Sequence, residues 1–547
     1  MLTRLLTNRT PLAAGLLTAT VSLFVAAAAA PSASAQGLSY RFLTVDGTNL
    51  EQFTSVYGAT AGYAAGNARG TATGGSEFSF AWRLSDNTRT ELDHTGLFQT
   101  EVLSAGSGFA VGDGRFNVGG ELQVRAYAWN MADFSRVDLD SAGLTFSSAN
   151  GAGSGHAVGR GNVPSGAQQA FAWRLSDNTR VALDSSGLSS SSADGATDGF
   201  AVGGGDDRAY AWRLSDGART ELNSAGLTSS FAFSAGNGYA VGNGSPAGGG
   251  ARQLFAWRLS DNSRVTLDTS SLGNPYVVGV AGNYAVGHDR LVNRSYAWNL
   301  QSGVRSDLNS LFMPAEVTGS RARGGDPEAG TITGNYNANS KGFALVVFDP
   351  TVAQTVNSGE TASTTEAVTQ ASGVAVINGE FRLIGGSDSD TYRLTGGTLG
   401  GSGTLSGNLA ITGGTLAPGN PLGLFRITDD FALTGGTLAV ELAGLSNGQF
   451  DAVNVSGVAS LTGGALSVAL VGFAPTAGDS WDILSAAGGV SSLSGVTVPT
   501  GYALSVSGNT VRLQFVGVVT VPEPGTGILA LLAAVPLAVR VVSRRRP

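Results

Sequence analysis

The residues of this chain best able to do chemistry are its carboxylates. Asp86, Asp177, Asp216 and Asp261 recur at one position of an internal repeat, from which a catalytic pair or a ring of calcium ligands could be built. Acid–base catalysis needs two carboxyls in different environments, so that their pKa values separate. These four stand in near-identical contexts after a serine and read as turn formers. Asp206-Asp207 interrupts the repeat pattern and is the best acidic pair outside it, read as a solvated loop. Asp388-Ser-Asp390 could supply two calcium oxygens, but the remaining ligands and the tight-turn glycine of a calcium loop are not evident. Of the three histidines, His156 replaces an aromatic in a Gly-rich strand and reads as a packed side chain. His94 and His288 read as turn residues beside Asp93 and Asp289, with nothing placing either near a nucleophile. Gly248–Gly250 lacks the lysine and the following helix of a phosphate loop. Zero cysteines exclude disulfides, iron–sulfur clusters, thiol nucleophiles and Cys-based zinc sites. The expectation is a protein with no catalytic, cofactor-binding or metal residues and no cofactor, not an enzyme.

The elements that hold these residues come from the repeats. The 547 residues allow two to four folded units, and 81 glycines without a G-X-Y period exclude collagen. Phe80-Ala-Trp82-Arg-Leu, Tyr127-Ala-Trp129-Asn-Met, Phe171-Ala-Trp173-Arg-Leu, Tyr210-Ala-Trp212-Arg-Leu, Phe255-Ala-Trp257-Arg-Leu and Tyr296-Ala-Trp298-Asn-Leu follow one another at 47, 44, 39, 45 and 41 residues. An arginine lies seven residues after each tryptophan (Arg89, Arg136, Arg180, Arg219, Arg264, Arg305) and a leucine ten after. A Gly-rich apolar strand such as Gly108-Phe-Ala-Val-Gly112 precedes each copy. Large apolar groups at i, i+2 and i+4 share one face of a strand, and Ser85-Asp86-Asn87-Thr88 reads as a hairpin turn. With an outer strand (Thr100–Ser104 in the first copy), each unit has about four short strands, the signature of a β-propeller. Seven Gly-rich strands, counting a degenerate copy at Gly330–Gly334, predict seven blades. The isolated Tyr40–Val45 strand would close the ring against the last one. A stacked β-solenoid is the competing fold. The repeat resembles the HAF-type extracellular repeats over residues 62–345, although Phe78, Arg125, Gln169, Arg208, Gln253 and Arg294 occupy the position of the namesake histidine. That resemblance implies secretion and a propeller-like array, with no settled activity.

From 351 to 373 the chain is rich in Thr, Ser and Ala and reads as a linker. A new repeat follows: Thr395-Gly-Gly-Thr-Leu399, Thr412-Gly-Gly-Thr-Leu416, Thr434-Gly-Gly-Thr-Leu438 and Thr462-Gly-Gly-Ala-Leu466, at intervals of 17, 22 and 28. Tight Gly-Gly corners alternating with strands such as Leu438-Ala-Val-Glu-Leu442 describe a right-handed parallel β-helix, a solenoid, over 374–520. Leu416-Ala-Pro-Gly-Asn420, Gln449-Phe-Asp-Ala-Val-Asn-Val455 and Ala477-Gly-Asp-Ser-Trp-Asp-Ile-Leu484 resemble the passenger-associated strand repeats of autotransporter-like proteins. No translocator barrel follows Thr520, so self-export is not supported. The predicted fold class is all-β: a seven-bladed propeller at 36–350, a linker at 351–373, and the β-helix.

Both ends read as addresses. Arg4 and Arg9, the apolar run Leu12–Ala30 and Ala33-Ser34-Ala35 form a secretory signal peptide at 1–35, with cleavage between Ala35 and Gln36; the alternative is a retained N-terminal anchor. At 521–547, Val521-Pro522-Glu523-Pro524 precedes an apolar segment, Gly525–Ser543, long enough to span a bilayer as a helix, and then Arg544-Arg545-Arg546. This order resembles the PEP-CTERM sorting signal of bacterial surface proteins, which implies an exosortase-type processing enzyme as partner and transient insertion in the inner membrane. A plain tail anchor is the alternative. Removing both addresses takes six arginines and one glutamate, moving the net charge from −8 to about −13. That balance argues against nucleic acid, which needs a basic footprint. The expected function is that of a non-enzymatic secreted protein of the cell surface or extracellular matrix, structural, adhesive or in contact with exopolysaccharide or other surface glycans. The alternative is a secreted polysaccharide-active hydrolase on a propeller scaffold.

Overall fold

A computed structural model of the chain describes residues 39–517, apart from 46–51, 70–76, 315–316, 338–340, 348–353, 366–367, 385–389 and 420. Its elements are strands, with one short helix, Leu308–Phe312, capped by the Asp307 side chain. Six antiparallel four-stranded sheets form at 52–91, 99–138, 146–182, 191–221, 227–267 and 275–307. In each, a first strand pairs with the Gly-rich strand, that with the Trp strand, and that with a short strand opened by the repeat arginine. First strands of successive sheets lie against one another, and Ser320–Gly325 completes the circle between Pro275–Ala281 and Gln52–Thr60. The architecture is a β-propeller whose first strands surround the axis.

The blade count differs from expectation. Six sheets stand alone, not seven. The degenerate copy (Ser320–Gly325, Ile332–Tyr336 and Lys341–Val347) pairs with Ser39–Thr44 and heads a twelve-stranded sheet that runs on into the C-terminal half. The reason is Ser39–Thr44 itself: one edge pairs antiparallel with Lys341–Val347, as its isolation in the sequence suggested. Its other edge stays open and takes up Thr361–Thr364. A second correction concerns Thr100–Ser104. It lies in Gln99–Gly106, the axial first strand of the following blade, and is not an outer strand of its own unit.

The motif Ala-Val-Gly has a packing cause. Each first strand carries a bulge, one residue against which the partner strand offers none. The motif's glycine pairs with the residue just before it: a Cβ on Gly112 would run into the Glu101 carbonyl oxygen, one on Gly203 into that of Ser192, one on Gly287 into that of Tyr276. Bulge and glycine require one another.

In the C-terminal half the chain visits three sheets in rotation, two of them parallel throughout and the twelve-stranded one parallel from Thr361–Thr364 to Ser480–Ala486. Side chains stack in register along each sheet: Leu399, Leu416, Leu438 and Leu466 form one buried ladder, Tyr392, Leu409 and Phe431 another. At each Gly-Gly corner the two glycines have separate reasons. Gly414 has φ +71°, and a Cβ on Gly413 would strike the Thr395 carbonyl oxygen of the previous turn. The segment expected as a linker is instead the first turn of this stack, with strands Gln354–Val356, Thr361–Thr364 and Val368–Gln370. Its small residues misled because they are interior here: Thr361, Ala362, Ser363 and Thr364 are all buried. An antiparallel pair, Tyr502–Ser507 and Thr510–Phe515, ends the twelve-stranded sheet beyond Ser480–Ala486. Trp481 lies buried there between Phe473 and Tyr502.

Candidate functional site

The residues that repeat are used for scaffold. All six repeat tryptophans are fully buried. Five of their indole N–H groups donate to a backbone carbonyl of the preceding blade: Trp129 to Asp93, Trp173 to Asp140, Trp212 to Asp184, Trp257 to Asn223 and Trp298 to Asp268, at 2.7–2.9 Å. The arginine seven residues on reaches the same loop, Arg264 through 3.0 and 2.9 Å bonds to the Asn223 and Ala225 carbonyls. Its guanidinium also lies over the aromatic two residues before the tryptophan, 4.6 Å from the Phe255 centroid and 4.9 Å in the Arg219–Tyr210 pair. Aromatic, tryptophan and arginine are one clamp between neighbouring blades. Its spacing is visible in the sequence; its role needed the neighbouring blade.

The turn aspartates behave as turn residues. Asp86 accepts from the Thr88 hydroxyl and amide, which hold its carboxyl below the usual range; Asp177 and Asp261 do the same with Thr179 and Ser263. Asp216 accepts from the Ala218 amide. In the pair Asp206-Asp207, the first caps the Ser189 and Ser190 amides, and the two occupy a tight turn at φ 44° and 63°. His94 sits against Glu91 and Phe78, and His156 begins its strand with Nδ1 against the Ser154 carbonyl. His288 does not sit on a turn. It lies in the strand Tyr284–Asp289, 1% exposed, with Nδ1 bonded to the Ala322 carbonyl, and burial pushes its pKa down to about 4. Asp390 is described and Asp388 is not; among the described residues no group of three acidic or histidine side chains could hold a metal. Ala35, Gln36, Val521–Pro524 and Arg544–Arg546 lie outside the described residues.

What differs from blade to blade is the axial bulge. The seven bulged residues are Tyr57, Leu103, Asn150, Asp194, Phe233, Val278 and Arg323. All are partly exposed, in a structure where the flanking residues are mostly buried. A bulge re-aims its side chain away from the ladder, here on strands whose open edge faces the axis. No two of the seven are the same residue type except in being apolar, so the ring mouth is asymmetric while its frame is repetitive. Sequence reasoning missed these positions, because a bulge leaves no mark in a strand's alternation; the glycine paired just before it was the available signal.

Acidic and basic side chains gather on different blades, the acidic ones in an arc that also holds Arg160. On the second to fourth blades the Ser148 hydroxyl lies 3.0 Å from Asp113 Oδ2 and 3.1 Å from Asn150 Oδ1. Asn150 Nδ2 donates to Asp194 Oδ1 at 2.9 Å, and the Ser192 hydroxyl to Asp194 Oδ2 at 2.8 Å. Burial pushes Asp194 up to about 6 and raises Asp113 and Glu101. A separate group is Arg290, Arg321 and Arg323. Arg290 lies 3.7 Å from the Tyr276 ring centroid, Arg321 Nε donates to Asn293 Oδ1 at 2.8 Å, and Arg323 Nε to Asn335 Oδ1 at 3.3 Å. A cleft of about 390 Å³ opens beside Arg321, between it and Asn293, Asn335 and Tyr336.

No known family and no curated protein matches the chain. Among solved structures, it is similar to TolB from Acinetobacter baumannii (13% identity, TM-score 0.32, 45% of this chain and 63% of that one). It is also similar to an oligogalacturonate lyase in complex with manganese (10%, TM-score 0.35, 57% and 96%) and to the β-propeller domain of the Trilobed protease from Pyrococcus furiosus (9%, TM-score 0.38, 56% and 95%). The chain thus spans less than two thirds of TolB's length.

Proposed function

We propose that this is a non-enzymatic protein of the bacterial cell surface or extracellular matrix, a rigid propeller on a right-handed β-helical spacer that meets surface glycan at its ring mouth. One observation carries the reading. The residues the repeats hold constant are spent on the frame, and the seven ring positions each carry a different side chain. A frame of that kind presents one asymmetric surface, combining aromatic (Tyr57, Phe233), carboxylate, amide and guanidinium groups. These are the groups that stack on sugar rings and bond their hydroxyls.

Delivery follows from the two ends. Cleavage between Ala35 and Gln36 releases the chain outside the cytoplasm, and an exosortase-type enzyme acts at Val521–Pro524 while Arg544–Arg546 hold the tail in the inner membrane. Among the described residues no helix is long and apolar enough to cross a membrane; the candidate span lies outside them. Mass spectrometry of surface material from the native host tests this: the mature form should begin at Gln36 and lack Ile528–Arg540. Intact peptides across that segment in the surface pool would make the tail an ordinary anchor.

The alternative, a polysaccharide-active hydrolase, would draw on the acidic arc, where Asp194 is held near neutrality. Release of reducing ends from a polysaccharide panel separates the two readings.

A further inference from the structure

We propose that Arg290, Arg321 and Arg323 form a seat for the carboxylate or sulfate groups of an acidic glycan. This rests on the glycan-contact reading above and narrows it to a class of polymer. The chain carries eight more acidic than basic groups, so an arginine placed without design would meet a carboxylate readily, and most blade arginines do. Arg83, Arg136, Arg174, Arg180, Arg213, Arg219, Arg258 and Arg294 all have an acidic partner within 4 Å. Arg290, Arg321 and Arg323 have none among the described residues, although the first two stand close enough to Arg323 to disfavour its charge. The nearest acid in sequence, Asp289, is turned away: its carboxylate accepts from the Gly273, Asn274 and Leu291 amides.

Three like charges gathered without a counter-ion cost stability, and burial adds to that cost at Arg323, whose charge it disfavours. The fold nevertheless holds each one in place. Asn293 takes the Arg321 Nε–H and Asn335 the Arg323 Nε–H, and both guanidinium groups keep their terminal N–H pairs unbonded among the described residues. The Tyr276 ring supports Arg290. A guanidinium held by Nε alone presents the two terminal nitrogens as a fork, which matches a planar carboxylate or two sulfate oxygens. The cleft of about 390 Å³ beside Arg321 is open on this side, and it can admit a sugar ring carrying such a group. Neutral sugar would leave the three charges uncompensated; a uronate or a sulfated residue compensates them.

The test is binding of the full-length protein to alginate, to dextran sulfate and to neutral dextran at low and moderate salt. The expected result is binding to one or both acidic polymers, weakened by salt, and at least tenfold tighter than to neutral dextran. Alginate reports a carboxylate source and dextran sulfate a sulfate source. R321Q,R323Q should weaken it about tenfold or more. R290Q and R321Q singly keep the test alive if the double variant fails to fold, each costing several-fold. D177N, in a hairpin turn outside the ring mouth, should leave affinity unchanged. Acidic-polymer binding that all arginine variants retain would overturn the seat while leaving glycan contact standing. Equal binding to neutral dextran would do the same. Binding to phosphatidylglycerol vesicles with none to either acidic polymer would overturn it in favour of a lipid surface. No binding to any glycan would remove the glycan reading along with the seat.

Discussion

Trp173 shows how one residue type can serve two purposes. Its indole is fully buried and its N–H donates across to the Asp140 carbonyl of the preceding blade. Trp173→Ala should therefore leave a cavity and take from the Asp140 carbonyl one of its two side-chain donors, the other being Arg180 at 3.1 Å, destabilising by about 3–5 kcal/mol in chemical denaturation. Unchanged stability with lost glycan binding would mean the tryptophans are a ligand platform. Asp194 gives a prediction in the opposite sense. An unfolded aspartate titrates near ~3.9, and burial pushes Asp194 up to about 6. Between those values the folded state binds more protons than the unfolded one, so stability from this group is present below the lower value and is lost as pH rises through the upper. Asp194→Asn keeps the acceptor for Asn150 and removes the titration. It should raise the melting temperature at pH 8 and leave it nearly unchanged at pH 4. A variant less stable at pH 8 would contradict the assignment. At this scale the sequence was most legible where types repeat: tryptophan core and aspartate turns are both as read. His288 was misplaced because the glycine before it looks like a strand end, whereas the strand runs on to Asp289.

Strand, bulge and corner are the units at which sequence pattern and packing meet. The Gly-Gly corners were legible from their recurrence, and the structure divides the labour between the two positions. Gly413→Ala must displace the Thr395 carbonyl of the previous turn, so it should destabilise by roughly 1–3 kcal/mol. Gly248→Ala, with nothing near its Cβ position and an ordinary φ, should have little effect. Equal melting temperatures for the two variants would mean the corner does not hold the turns together. The first turn of the stack was illegible for a related reason. Thr361–Thr364 pairs through backbone on both edges, with Ser39–Thr44 and Glu380–Leu383, and so needs no large apolar side chain to be a strand. The axial strands were assigned to the wrong unit because local alternation says nothing about which neighbour a strand will join.

For the molecule as a whole, Ser39–Thr44 matters out of proportion to its length. It is the strand that joins the propeller's closing sheet to the first turn of the stack. Deleting residues 36–45 should open the ring and expose two strand edges at once. Amide exchange should then quicken in Lys341–Val347 and Thr361–Thr364 together, while the ladder around Leu438 stays protected. Unaltered exchange at both would show that the ring closes without it. Propeller class was legible from period and spacing; the number of separate blades was not, because sharing of a sheet edge is settled by a strand some three hundred residues away from its partner. The proposed frame holds glycan without cutting it. The most direct test is a single incubation of the protein with alginate, dextran sulfate and neutral polysaccharides in which retained polymer and new reducing ends are followed together. Retention of polymer with no growth in reducing ends is the result predicted here. Reducing ends that accumulate in proportion to protein and time, and vanish in Asp194→Asn, would contradict it and make the acidic arc an active site.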